Sequence, residues 1–352
     1  MKRAALRRWV AGMSYGLGAT RALTRVGDRW RVLRAENGFS LGARRRDPFL
    51  VLIYHRVHGA ESRFSIERTT PGCFRGQMAH LARDYNVLPL DEIVRRLGAE
   101  EPLPPRAIAV TFDDGYEDNY TEAFPILRDL GLPATVFLTT GCIGTGDSLW
   151  FDRVLRAFER SPRERVPLPG GAMSEDLRDD ARREHEAIRA LYALMRLPNQ
   201  ERLAAVDRLV EDLGGNDGIP PARMLNWDQV REMARGGITF GAHTVTHPIL
   251  TRLGLADAEA EIVDSKRKIE AEVGRPVDLF AYPVGRRSDY APEVIRIVTE
   301  AGFRAALTTT SGSNARGDDL FLLRRVKPLG DDVPSFALGL GMHYLTEWSP
   351  RA

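Results

Sequence analysis

Apolar positions along the chain alternate between short dense runs and helical spacing. Phe49–Tyr54, FLVLIY, is apolar throughout, as in a strand covered on both faces, and it ends on His55. The spacing of Phe74, Met78 and Leu81 predicts a helix over 73–85. A short strand over 86–90 and a helix over 92–97, with Asp91 as its cap, follow. Ala107–Phe112 reads as a second buried strand running into Asp113, Asp114 and Gly115. A helix over 120–130, closed by Gly131, leads past Pro133 to a strand over 134–139. Strand, helix and strand in this rhythm imply right-handed crossovers and a parallel sheet.

The rhythm breaks between 141 and 223. Residues 158–190 are rich in Arg, Glu and Asp, and helices separated by Pro198 are expected over 188–213. Alternation then resumes: helix 227–234, strand 238–242, helix 256–273, strand 278–282, helix 292–301, strand 303–308 and a last strand within 320–326. Seven or eight such units predict an α/β fold, a distorted or incomplete (β/α) barrel, with chemistry at the carboxyl ends of its strands. The expected organisation is an amino-terminal arm over 1–46, a barrel over 47–140 and 224–345, and a helical insertion or lid over 141–223.

Composition changes the picture mainly at the amino end. At 43% hydrophobic and 28% charged, 352 residues suit one large domain or two small ones. Cys73 and Cys142 are too few for a disulfide framework or a thiolate metal site. Residues 1–46 hold twelve Lys or Arg against Asp28 and Glu36, a net +10, and the chain's net +2 leaves the remainder at −8. Leu6, Trp9, Val10, Met13 and Leu17 recur at helical spacing in this arm, so a basic amphipathic helix could contact anionic lipid, or pack on the domain as a solvated helix. The segment after Arg8 lacks the leucine-rich core of a signal peptide, and no stretch of about 18 apolar residues is present. The expected location is cytoplasmic, peripheral to the inner membrane. Nucleic-acid binding has no support beyond the charge of the arm.

Two adjacent carboxylates at a strand end repel each other and call for a cation. Neighbouring side chains on an extended chain point opposite ways, so one Asp can ligate while the other handles a proton. An Asp-Asp-Gly turn capping the next helix is the competing reading. His243 and His247, four residues apart in HTVTHP, tip the balance toward a metal site. One carboxylate and two imidazoles leave positions open for water and substrate.

TFDDGY followed by HTVTHP resembles the polysaccharide deacetylases of carbohydrate esterase family four, the NodB-homology enzymes, over roughly residues 49–330 apart from the insertion. The resemblance implies a distorted (β/α) barrel and a metal-dependent hydrolase of carbon–nitrogen bonds other than peptide bonds, removing acetyl groups from sugars. It implies Asp113 as the general base, and Asp114, His243 and His247 as ligands of a divalent metal, zinc first. The family's R-x-P-Y motif is altered to Ala281-Tyr282-Pro283-Val284-Gly285, so Val284 would supply the oxyanion N–H and Ala281 cannot orient the base. Arg325, with Arg324 the second choice, is the candidate replacement; a surface salt bridge is the competing reading for both. The family's leaving-group acid, a histidine near the carboxyl end, has no match, because His343 lacks the Leu-x-His pattern. Tyr54-His55-Arg56-Val57 instead resembles the circularly permuted branch with the poly-N-acetylglucosamine deacetylases, which makes His55 the acid. Trp150 either stacks on a sugar at the rim or lies in the core. The expected substrate is an acetylated glycan or a lipid-linked sugar. Deformylation, another small-amide cleavage and a catalytically inactive carbohydrate-binding barrel are the alternatives.

Overall fold

The computed structural model describes residues 48–59, 64, 68–215 and 222–346. The basic arm expected over 1–46 lies outside the described residues.

Seven strands follow one another around a parallel barrel wall, beginning with β1 (Phe49–Tyr54), and a short eighth pairs off that path. Two short strands, β2 (Arg56–Val57) and β3 (Arg68–Thr69), pair apart from the wall. β5 (Ala107–Phe112) lies beside β1 over its full length, from Phe49 opposite Ala107 to Tyr54 opposite Phe112. On its other edge β5 takes β4 (Asn86–Val87) at its start and β6 (Thr135–Leu138) at its end. The wall continues through β7 (Thr239–Ala242), β8 (Leu279–Ala281), β9 (Ala305–Ser311) and β10 (Leu323–Arg325). Among the described residues no continuous ladder joins β10 to β1. Val326, bonded to Val51 and Ile53, and Asn314, bonded to Phe49, bridge that seam. The result is a parallel sheet nearly closed into a distorted (β/α) barrel.

Residue parity decides which way each side chain points. Phe49, Val51, Ala107, Ala109, Phe137, Leu279, Leu307 and Leu323 form one apolar cluster. Their neighbours Leu50, Leu52, Ile108, Val110, Val136, Phe280 and Ala306 belong to another, packed with the surrounding helices. Continuing the first parity to the carboxyl ends of the strands gives His55, Asp113, His243 and Arg325.

Between β6 and the helix Trp227–Arg235, three helices, Trp150–Arg160, Asp180–Leu194 and Asn199–Asp212, pack around a separate core that includes Val154, Phe158, Leu191 and Leu209. Among the described residues no helix is long and apolar enough to cross a membrane.

Local differences from the expected elements have identifiable causes. Asp91 does not cap its helix: Pro89 is the N-cap of Leu90–Gly98 and Asp91 sits in the first turn, where a carboxylate meets the positive end of the helix dipole. The helix expected over 120–130 opens as a π turn, Asn119–Ala123, before Phe124–Asp129. The last strand contracts to β10 because Leu320–Leu322 coils into a 3-10 turn whose cap, Asp319, accepts the Phe321 N–H.

Candidate active site

Gly241 in β7 lets the strand carrying the first histidine come close to its neighbours. A Cβ there would lie 2.4 Å from the Phe137 ring and 2.9 Å from the Leu279 carbonyl. Two residues on, His243 is 2% exposed, and its Nδ1 lies 2.7 Å from the Ala281 carbonyl. A carbonyl only accepts, so Nδ1 carries the proton and the Nε2 lone pair is left facing the site.

Beyond His243 the chain turns sharply. Thr244 and His247 both adopt positive φ, 67° and 56°, and the Thr244 hydroxyl oxygen accepts the His247 N–H at 3.1 Å. Glu261 holds the outside of this turn, accepting the N–H groups of Val245 at 2.7 Å and Thr246 at 2.9 Å. Trp150, at the start of the first helix after β6, donates its indole N–H to the His247 carbonyl at 3.1 Å. The guanidinium of buried Arg202 lies 4.6 Å from the Trp150 ring. Trp150 is thus a buried core residue, 4% exposed, tied to the histidine loop.

Asp114 reaches the two histidines through a turn in the backbone. Parity on an extended strand would send it away from the barrel axis, but its φ is +74° and Gly115 follows at +85°. The left-handed kink turns its carboxylate back. Oδ1 lies 3.6 Å from His243 Nε2 and 3.5 Å from His247 Nε2. Asp114, His243 and His247 are all buried, with one ligand atom from each within 4.8 Å of the others. Burial pushes the His243 pKa down to about 4 and that of His247 well below its ordinary value, so both rings are neutral donors. One carboxylate oxygen and two imidazole lone pairs converging on one point form a donor set that fits a divalent ion such as zinc.

Asp113 faces a different partner. Both its oxygens accept from Arg325, Nη1 and Nη2, at 2.7 Å, while Arg325 Nε donates to the Thr308 carbonyl at 2.9 Å. Burial alone would raise the Asp113 pKa; the guanidinium of Arg325 and the nearby histidines outweigh it and hold the carboxyl well below the usual range. Arg324, by parity, points elsewhere, and its backbone N–H bonds to Asn314.

His55, Asp113, Asp114, His243, His247 and Val284 all line one cavity of about 860 Å³ at the carboxyl ends of the strands. His55 enters it through the pairing of β1 with β5, reinforced by the Asp113 N–H bonding to Tyr54 at 3.0 Å. Val284 is held at φ +60°, its carbonyl accepting the Thr309 hydroxyl at 2.8 Å. Four of the six described non-glycine residues with positive φ (Asp114, Thr244, His247 and Val284) thus stand in or beside this site. Such strain, of order 1–3 kcal/mol each, persists where surrounding structure enforces it. His343, in the terminal helix Val333–Thr346, does not line the cavity.

Glu261, Arg202 and Thr309 belong to no motif in the sequence. Glu261 looks like any other acid in a charged helix, and only its contact with the histidine loop sets it apart.

The family model described as Polysaccharide deacetylase matches residues 100–306. YxkH of Bacillus subtilis, a provisionally named polysaccharide deacetylase, is 22% identical over 278 residues, 79% of this chain and 70% of that protein. The poly-beta-1,6-N-acetyl-D-glucosamine N-deacetylase of Staphylococcus epidermidis is 25% identical over 189 residues, 48% of this chain and 58% of that protein. Among solved structures, the Streptococcus pyogenes deacetylase PplD has a TM-score of 0.56 at 21% identity, covering 83% of this chain and 96% of its own. At these identities the structural likeness speaks for the fold.

Proposed function

Because this chain belongs to the polysaccharide deacetylase family, and is a hydrolase by that membership, we propose that it removes N-acetyl groups from a sugar, with Asp114, His243 and His247 holding a divalent ion. The observation that carries the reading is the division of two adjacent aspartates, one turned to a pair of neutral imidazoles and the other gripped by a guanidinium. The name of the Staphylococcus epidermidis relative supports an N-acetylated sugar as the substrate class.

A bound ion of this kind polarises a carbonyl and makes water more acidic. The chain's residues supply the rest. Asp113, oriented by Arg325, takes a proton from the attacking water as its oxygen bonds to the acetamide carbon. The Val284 N–H offers a donor for the negative charge developing on the carbonyl oxygen. His55, entering from β1, gives a proton to the nitrogen as the carbon–nitrogen bond breaks, leaving acetate and the free amine. That His55 and Asp113 follow paired neighbouring strands, β1 and β5, supports their serving one reacting centre.

Acetate release from N-acetylated oligosaccharides and lipid-linked sugars, with and without a chelator, tests this reading. Chelator-sensitive acetate release is expected. Formate from formylated sugars with no acetate from acetylated ones would favour a deformylase.

A further inference from the structure

The cavity is unevenly charged. Beyond the reacting centre it follows one face of the helix Trp150–Arg160, touching Phe151, Asp152, Leu155, Arg156, Glu159 and Arg160. These recur at helical spacing and span roughly 14 Å at 1.5 Å per residue. Two of the cations on its wall are matched: Arg56 pairs with Asp118 at 2.8 Å, and Arg223 lies 3.6 Å from Glu117.

Arg156 is not matched. Its half-buried guanidinium makes no hydrogen bond or ion pair among the described residues, and burial lowers its pKa. Asp152 and Glu159 attract it only at a distance, and the Asp152 carboxylate already accepts the Tyr116 hydroxyl at 3.0 Å. Arg160, one turn further on, is also without an acid partner among the described residues, and the like charge that acts on Arg156 is that of Arg56. Arg286, after β8, lines the same cavity and lies over the Tyr192 ring at 4.9 Å, with no carboxylate on its guanidinium among the described residues. A half-buried guanidinium costs free energy unless an anion meets it. Planar guanidinium groups match phosphate oxygens two at a time.

We propose that the substrate carries a phosphate or phosphodiester next to its acetylated sugar, and that Arg156, with Arg160 and Arg286, binds it. Such a group could belong to a sugar phosphate or to a phosphodiester joining the sugar to an apolar carrier. Beside the cations the cavity is lined by Leu155, Ile188, Leu191, Tyr192 and Met195, with Ile188 41% and Tyr192 47% exposed, an apolar strip that would cover such a carrier. This substrate class rests on the deacetylase reading.

The test compares acetate release by the full-length, zinc-loaded protein from three probes: the methyl glycoside of N-acetylglucosamine, N-acetylglucosamine 1-phosphate, and the decyl phosphodiester of the same sugar. Both phosphorylated probes are expected to show a KM about tenfold or more below that of the methyl glycoside, and Arg156→Met to cut that preference about tenfold, as loss of a charged hydrogen bond should. Arg156→Lys should restore part of it, and Arg286→Met carries the same expectation if Arg156→Met does not fold. A decyl ester that outperforms the 1-phosphate identifies an apolar carrier; equal values identify a free sugar phosphate. Equal KM values for charged and neutral probes, or a phosphate preference that survives both Met variants, overturn the proposal. No acetate from any probe overturns the deacetylase reading on which it rests.

Discussion

Arg325 and Asp113, 212 positions apart in the chain, meet as a fully buried bidentate pair with both contacts at 2.7 Å. The proposed base is thereby fixed in orientation and kept ionised by a residue from the other end of the barrel wall. Arg325→Ala would leave a buried carboxylate uncompensated, a loss of about 3–5 kcal/mol. Arg325→Lys keeps the charge but cannot make the fork. It should fold, by denaturant titration, and turn over about tenfold or more slowly. Wild-type turnover in Arg325→Lys would remove the orienting role.

His55→Ala tests the leaving-group acid. Turnover should fall by about 10²–10⁴-fold while bound metal stays unchanged. Loss of metal from a folded His55→Ala protein would instead make this histidine a ligand.

Trp150→Phe keeps an aromatic ring beneath Arg202 but deletes the N–H given to the His247 carbonyl. Partners that orient ligands typically contribute 10–100-fold in metal affinity. Competition with a chromophoric chelator should therefore show weaker zinc binding by about tenfold in a variant that still unfolds cooperatively. Unchanged affinity would leave Trp150 with packing alone.

Gly241→Ala places a methyl group against the Phe137 ring and the Leu279 carbonyl. Such overpacking costs about 1–3 kcal/mol, and thermal melts should register it. A variant as stable as the parent would show that β6 and β8 can give way around β7 without penalty.

Much of the site is written in alternation along the strands. Once Phe49, Ala107 and Leu323 are placed in the barrel, counting in twos delivers His55, Asp113 and Arg325 to one end and rejects Arg324. The same count gives the wrong answer for Asp114, because a left-handed residue reverses the direction that an extended strand would impose, and nothing in the letters Asp-Asp-Gly fixes which residue takes it. The core placement of Trp150 agrees with one of its two sequence readings, but its tie to the histidine loop is not legible: the partner is a backbone carbonyl 97 positions away, and such contacts leave no pattern in the sequence. Asp91 misled because a good capping residue sat one position inside a helix that Pro89 had already begun.

The separation of duties between Asp113 and Asp114 is tested most directly by counting metal ions per chain in Asp113→Asn and Asp114→Asn, prepared side by side and loaded with zinc. Asp113→Asn should retain about one ion while losing turnover, and Asp114→Asn should retain little or none. If Asp113→Asn is the one that loses the ion, or if both keep it, the two carboxylates do not divide the work as their geometry indicates.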